Sequence, residues 1–368
     1  MQPRTMGSLA AYGWNDEWES VFESLEQPEL VPARVAVEHR SAYLLYTEVG
    51  DVSGQMTGKL RLEAEIDAER KPAVGDWVAI RQLDGERRAV IVDVLARRTR
   101  FIRKQAGMQT TAQVVAANVD VVFVVSSLDQ DLNPRRLERY LTLGWESGAF
   151  PVVVLTKADL CDDLDGALDT LASVTQGLDV HVASAVTGQG IEDLRPYIDG
   201  GRTAAFVGSS GVGKSSLINC LAGSEVQPIG DLRNDGKGRH TTTKRELIVL
   251  PSGGVVLDTP GMRELQLWDA SSGIEGTFEE ITALMDSCRF SDCSHTSEPG
   301  CAVLEAVKSG AVTEERLESY RKLQRELIRL ERKQSKAAEA AERRRWRQRS
   351  REGKNARKDI YEQLRDTP

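Results

Sequence analysis

The sequence predicts an α/β fold of the phosphate-loop kind, preceded by a small β-barrel of the oligonucleotide-binding (OB) type and followed by a helical zinc-binding segment. Three stretches predict it. "FVGSSGVGKSSLIN" (206–219) reads as strand, glycine-rich loop and helix, with G-x-x-x-x-G-K-S running from Gly208 to Ser215. Between Ala33 and about Arg100, short alternating apolar runs are separated by turn residues. Farther on, three of the five cysteines fall within fourteen residues, with His295 among them.

Bulk composition agrees. With 40% apolar and 28% charged residues over 368 positions, the chain can build two or three domains with real cores. Its longest apolar run, "VDVVFVV" (119–125), is strand-length and far short of the roughly 20 residues that cross a bilayer. The opening "MQPRTMGSLAAYGWNDEWES" has no basic segment followed by an apolar one, so a cytoplasmic location without membrane attachment is expected. The net charge of −8 conceals an asymmetry: residues 321–368 hold 17 Lys+Arg against 8 Asp+Glu. An acidic body with a basic end suits contact with nucleic acid, although a solvated charged helix has the same composition.

The expected division is a lead segment (1–30), an OB-type barrel (31–100), an α/β nucleotide domain (101–270), a zinc-binding helical domain (271–320) and a basic helical tail (321–368). In the lead, "NDEWESVFESL" forms a short amphipathic helix. Five barrel strands are expected at "RVAVEHR", "AYLLYTEV", "KLRLEAE", "DWVAIRQ" and "AVIVDVLA", with turns at "GDVSG", "PAVGD" and "LDGE". Such barrels often bind RNA, but one could equally serve as another interaction platform. Next come the strands "VDVVFVVSSL", "PVVVLTK", "VHVASA", "TAAFVGSS", "ELIVLP" and "GVVLDTP". Expected helices at Pro134–Glu146, Asp163–Gln176, Ile191–Tyr197 and Lys214–Leu221 cover a mostly parallel sheet.

The chemistry concentrates in this α/β part. In Gly208, Ser209, Ser210, Gly211, Val212, Gly213, Lys214, Ser215 and Ser216 the glycines let backbone N–H groups face the α- and β-phosphates. Lys214 reaches the β- and γ-phosphates, and the Ser215 hydroxyl is a ligand for Mg²⁺. "DTPG" follows an apolar strand; Asp258 organises Mg²⁺ and Gly261 offers its N–H to the γ-phosphate. "NDGKGRHTTTKRE" between them has the texture of a switch loop. One of Thr241, Thr242 and Thr243 completes the Mg²⁺ shell there, with Thr242 favoured.

"TKAD" (Thr156, Lys157, Ala158, Asp159) reads a base. Asp159 accepts from the N1–H and N2–H₂ edge that guanine offers and adenine lacks, and the Lys157 stem lies over the ring. Thr156 stands where Asn is commoner. Ser184 and Ala185, after the next strand, fit the backbone site that meets guanine O6. The expected nucleotides are therefore GTP and GDP. The motif order is base, phosphate, switches, whereas GTPases usually run phosphate, switches, base. Joining the old ends and cutting elsewhere leaves the same site, so the domain is a circularly permuted GTPase.

Cys288-x4-Cys293-x-His295-x5-Cys301 offers three thiolates and an imidazole, enough to close a structural tetrahedral Zn²⁺ site; free thiols beside an exposed histidine are the alternative. Cys161 and Cys220 read as packing residues. After DTPG, Met262 stands where many GTPases carry a water-orienting glutamine, so unaided hydrolysis should be slow. His240 is a candidate to position or deprotonate the water, or else a solvated loop histidine.

With these motifs in place, the chain resembles the bacterial ribosome small-subunit-dependent GTPases of the RsgA type. The resemblance rests on "VGDWV" (74–78), "AANVD" (116–120), "NPRRLERYL" (133–141), the phosphate loop, "GRHTTT" (238–243), "DTPGMREL" (258–265) and "EPGCAV" (298–303), and spans about residues 30–330. It implies GTP hydrolysis stimulated by the small ribosomal subunit as a checkpoint in its late maturation, with ribosomal RNA as partner and a monomeric chain. It also favours zinc at the cysteine cluster and catalysis by His240. Thr156 and the extended basic end depart from the pattern. A nucleotide-gated RNA-binding module with incidental hydrolysis is the alternative. A small-molecule kinase would not need the guanine motifs.

Overall fold

The computed structural model of the chain describes residues 8–39, 42–83, 87–104, 112–129, 132–226, 246–258, 271–329 and 332. A helix α1 (Asp16–Glu23), capped by the Asn15 side chain, leads into five barrel strands. They are β1 (Val31–Glu38), β2 (Tyr43–Thr47), β3 (Gly50–Met56), β4 (Trp77–Gln82) and β5 (Arg88–Val94). Pairing runs β1–β2–β3–β5–β4 and returns from β4 to β1, with β3–β5 parallel and the other pairs antiparallel. The sheet therefore closes on itself and has no free edge. Ala33, Val35, Leu45, Val52, Ile80 and Ile91 fill it, alternating along each strand with residues that face out.

One strand assignment differs from the sequence expectation. "KLRLEAE" is helical, α2 (Gly58–Ile66), and the expected turn "GDVSG" is strand β3. Thr57 caps α2 by accepting from Leu60 N–H at 3.2 Å. Of the two leucines that mimicked strand alternation, Leu60 is buried while Leu62 is 63% exposed. In β3, Gly54 lets Leu45 of β2 approach so closely that a Cβ there would sit 2.4 Å from it. A hairpin, β6 (Arg100–Lys104) with β7 (Ala112–Ala117), which the sequence did not announce, joins the barrel to the next layer.

That layer is the sheet β10–β9–β8–β11–β13–β12, built from β8 (Val121–Ser127), β9 (Phe150–Thr156), β10 (Val180–Val182), β11 (Thr203–Val207), β12 (Glu246–Val249) and β13 (Val255–Asp258). All are parallel except β12, which pairs antiparallel to β13. Runs such as Val121–Val125 are apolar at every position because both faces are covered. On one face Phe123, Val154 and Phe206 meet α5 (Lys214–Ala222) and the 3₁₀ turn Glu192–Tyr197, where a regular helix was expected and Pro196 stands inside. On the other, Val122, Val124 and Leu155 share a core with α3 (Pro134–Ser147) and α4 (Leu164–Thr175). The same core takes in α6 (Ser271–Thr277), α7 (Glu279–Met285), α8 (Ala302–Ser309) and a last helix α9 (314–329).

Barrel and sheet touch directly. Val37 of β1 pairs with Glu246 of β12, and the Tyr46 hydroxyl donates to Leu247 O at 3.0 Å. At the opposite corner the buried Arg34 guanidinium donates to Tyr12 O, to Gly75 O (3.3 Å), to Asn118 O (3.1 Å) and to Thr203 Oγ1 (2.8 Å). One side chain thus ties lead, barrel and α/β layer together. Burial lowers its pKa to about 10.

Candidate functional site

Parallel strands deliver their C-terminal ends to one edge of a sheet, and an α/β sheet binds ligands just beyond that edge. Here β9 ends at Thr156, β11 at Val207 and β13 at Asp258, so three motifs far apart in sequence converge. Gly208, Gly211 and Gly213 have φ of 147°, 82° and 95°, which L side chains rarely adopt. At Gly208 a Cβ would also sit 2.3 Å from Val125 O. Gly213 is the N-cap of α5 and has no side chain to cap with, which leaves the first-turn amides available to an anion. Lys214 is buried and reaches back across the loop, its Nζ donating to Gly208 O at 2.8 Å and to Ser209 O. Ser210 is exposed; Ser209, Ser215 and Ser216 are half-buried around the same turn.

The base-reading segment is braced against this loop. Thr156 Oγ1 donates to Val212 O at 2.5 Å and lies 3.3 Å from Ser126 O. The threonine that stands in for asparagine thus holds the phosphate loop by its backbone. Lys157 takes a left-handed backbone (φ 60°) and pairs with Asp129 at 2.8 Å, which steadies its aliphatic stem. Ala158 N–H donates to Ala183 O at 3.2 Å, registering this turn with the segment after β10 that carries Ser184 and Ala185. Ser184 Oγ donates to Asp159 Oδ1 at 2.5 Å while accepting from the Val186 and Thr187 amides, both at 3.2 Å. The carboxylate expected to meet guanine is therefore oriented by the very loop expected to meet O6. Asp129 and the Ser184 hydroxyl were not singled out in the sequence; their signal was a short polar stretch after each strand. His240, Thr241, Thr242, Thr243, Gly261 and Met262 lie outside the described residues, as does the tail from 333 onward.

The second constellation is the cysteine cluster. One ligand atom each from Cys288, Cys293, His295 and Cys301 lies within 4.8 Å of all the others. Cys288 Sγ stands 3.9 Å from Cys301 Sγ and 3.7 Å from His295 Nδ1, and His295 Nδ1 is 3.4 Å from Cys301 Sγ. A tetrahedron with Zn–S near 2.3 Å and Zn–N near 2.0 Å has edges of about 3.5–3.8 Å. The donor set and its spacing are compatible with zinc. Desolvation, then the neighbouring thiols, pushes the Cys293 thiol up to about 11, while hydrogen bonds from the Ala302 and Val303 amides help lower that of Cys288. Burial lowers the His295 pKa, with Arg321 acting in the same direction, which keeps the ring in the neutral form a metal needs. Arg321 donates to His295 O, and Cys301 accepts from Leu304 N–H at 3.5 Å, capping α8.

This geometry has relatives. A family model described as RsgA GTPase matches residues 94–268. The small ribosomal subunit biogenesis GTPase RsgA 2 of Lactiplantibacillus plantarum is 50% identical over 295 residues, covering 80% of this chain and 82% of that one. The chain belongs to the RsgA GTPase family. Its counterpart in Opitutus terrae, a small ribosomal subunit biogenesis GTPase RsgA, is 45% identical over 349 residues, 92% of this chain and 95% of its own. YjeQ from Thermotoga maritima has the same architecture, with a TM-score of 0.63 at 30% identity, covering 81% of this chain and 99% of that one. YloQ, described as a circularly permuted GTPase, matches with a TM-score of 0.60 at 25% identity over 82% and 96%. A second model, 50S ribosome-binding GTPase, matches residues 203–336, from β11 onward. As a family member the chain is a GTP-hydrolysing enzyme with a permuted phosphate-loop domain behind an OB-like barrel, and the family implies GTP, GDP and Mg²⁺ as its ligands. Among the described residues no helix is long and apolar enough to cross a membrane.

Proposed function

We propose that the small ribosomal subunit stimulates GTP hydrolysis by this chain, and that hydrolysis serves as a checkpoint in late subunit maturation, with ribosomal RNA as the surface gripped. The observation that carries this reading is the brace from Thr156 to Val212. It makes base recognition and phosphate binding one unit that holds GTP, and leaves turnover as the step a partner stimulates. Asp159 accepts from the guanine edge, Lys157 covers the ring, Ala185 offers its N–H to O6, and Lys214 transfers its hydrogen bonds from loop carbonyls to the β- and γ-phosphates. Ser215, Thr242 and Asp258 would hold Mg²⁺, which would supply positive charge beside the phosphates when bound. The amide of Gly261 meets the γ-phosphate. With Met262 unable to orient water, His240 does so when the subunit is bound.

Cys288, Cys293, His295 and Cys301 hold one structural Zn²⁺, closing a small helical unit that supports the RNA-facing end. In this reading the chain divides into 1–30, 31–100, 101–270, 271–320 and 321–368 and works as a monomer in the cytoplasm. GTP turnover by His240→Ala, measured with and without purified small subunits, tests the catalytic part. The variant should bind GTP normally and lose most of the stimulated rate, by roughly 10²-fold or more. Unchanged stimulated turnover would remove His240 from the mechanism.

A further inference from the structure

The sequence reads Cys220 as a packing residue, and its side chain does pack against the core beneath α5. The thiol also has a polar contact. Cys220 Sγ reaches the loop after β10 and donates to Ala185 O at 3.5 Å. That loop is held in one shape. Ser184 N–H donates to Gln189 O at 3.0 Å and Gly188 N–H to Ser184 O at 2.9 Å, which closes a tight turn. Gly190, at φ 69°, lies so near β10 that a Cβ would sit 2.1 Å from Val182 O.

Within the turn, the peptide unit between Ala185 and Val186 is pinned at both polar ends. Its N–H donates to Ser184 Oγ at 3.2 Å, and its carbonyl accepts from the Cys220 thiol. The amide on the other side of the Ala185 Cα is different: among the described residues it donates to no protein acceptor. One peptide plane is fixed, and its neighbour keeps a donor for a ligand.

The other end of the connection is α5. This helix starts at Lys214, directly after the glycines of the phosphate loop, and Cys220 lies six residues on, roughly 9 Å along the axis. Arg195 of the 3₁₀ turn adds a second tie, donating to Leu221 O at 3.4 Å and to Ser252 Oγ at 3.0 Å. The helix that carries the phosphate loop therefore also carries the contact that sets the Ala185 carbonyl. Thr156 makes the matching link from the TKAD turn to Val212 O.

We propose that Cys220 is a positioning residue for guanine recognition: its thiol sets the peptide unit after Ala185 so that the Ala185 amide is aimed at O6 of the base. The assignment rests on Ala185 being the O6 contact. A thiol suits the separation of helix and loop, because a hydroxyl donor would need an approach of about 2.5–3.0 Å. The contact involves only Cys220, Ala185 and Ser184, so it bears on affinity and base choice, not on the hydrolytic step.

Equilibrium competition by GDP and by 6-thio-GDP, measured on the full chain, tests it. In the analogue, sulfur replaces O6 while the N1–H and N2–H₂ edge is kept. Sulfur accepts weakly, so the unaltered chain should prefer GDP. Cys220→Ala should weaken GDP binding roughly two- to fivefold, the size of one modest hydrogen bond, and leave 6-thio-GDP unchanged. Cys220→Val fills the space without a donor and should behave as the alanine variant does. Both should keep kcat at saturating GTP, and melting temperatures check that both fold. Equal losses for GDP and 6-thio-GDP, recovery of GDP affinity in Cys220→Val, or no loss at all would overturn the proposal. The two failures are distinguishable. If the unaltered chain does not prefer GDP, the O6 reading of Ala185 fails and the proposal with it; a clear preference that the variants leave intact strikes Cys220 alone.

Discussion

A single hydroxyl at Thr156 links the two halves of the nucleotide site. Its methyl side packs beside Gly213 while Oγ1 holds Val212 O, so any movement of the guanine-reading turn pulls on the loop that cradles phosphate. Asparagine would reach farther; threonine suffices because β9 and β11 flank the same central strand, β8. Thr156→Val keeps the shape, removes the donor and leaves a buried carbonyl unpaired, which costs about 1–3 kcal/mol. Equilibrium titration with a fluorescent GTP analogue should therefore give a five- to hundredfold weaker Kd (on the order of that energy), and Thr156→Ser should restore most of it. Equal affinity in all three proteins would mean the brace is incidental. Residue identity was legible here while its job was not: TKAD announced a base reader, but no local pattern says that a hydroxyl 56 residues upstream closes onto the loop.

At the scale of elements, α3 anchors the C-terminal helices. Glu138 of α3 is buried and accepts from Arg316 Nη1 at 2.7 Å. Arg316 also meets Glu280 at 2.7 Å and Thr277 O, and its guanidinium lies 4.2 Å from the Phe278 ring centre. The cysteine-bearing unit is therefore bolted to the helix between β8 and β9, the strands that lead to Asp129 and Thr156. Removing one partner strands a buried charge, so Arg316→Ala should cost about 3–5 kcal/mol, read as a lower midpoint in denaturant unfolding. A cost within 0.5 kcal/mol would contradict a buried clasp. Chelation is expected to unfold 288–301 and raise amide exchange in α8 and α9, while β8 and β11 keep their protection. A uniform rise across the sheet would refute the separation. The strongly apolar strands and α3, α4 and α5 could be placed from periodicity because each buries a continuous face. β3 could not, since its outward residues are Asp51, Ser53 and Gln55 and its inward ones include Gly54. The 178-residue separation of Glu138 and Arg316 left no trace in either local segment.

Across the whole molecule, the permuted order places the barrel before the TKAD strand and the cysteine-bearing helical unit after the phosphate-loop half, so both ends of the nucleotide domain carry a flanking module. Arg34 fixes the barrel side of the nucleotide domain and Arg316 the helical side. The site was readable from motifs in that order because each motif sits at the end of a parallel strand, where backbone geometry rather than distant packing decides its place. Turnover of GTP by the full chain, with and without purified small ribosomal subunits, bears most directly on the partner's role. Stimulation by at least about tenfold is predicted, since a bound partner supplies what Met262 lacks. Identical rates in the two conditions would contradict it.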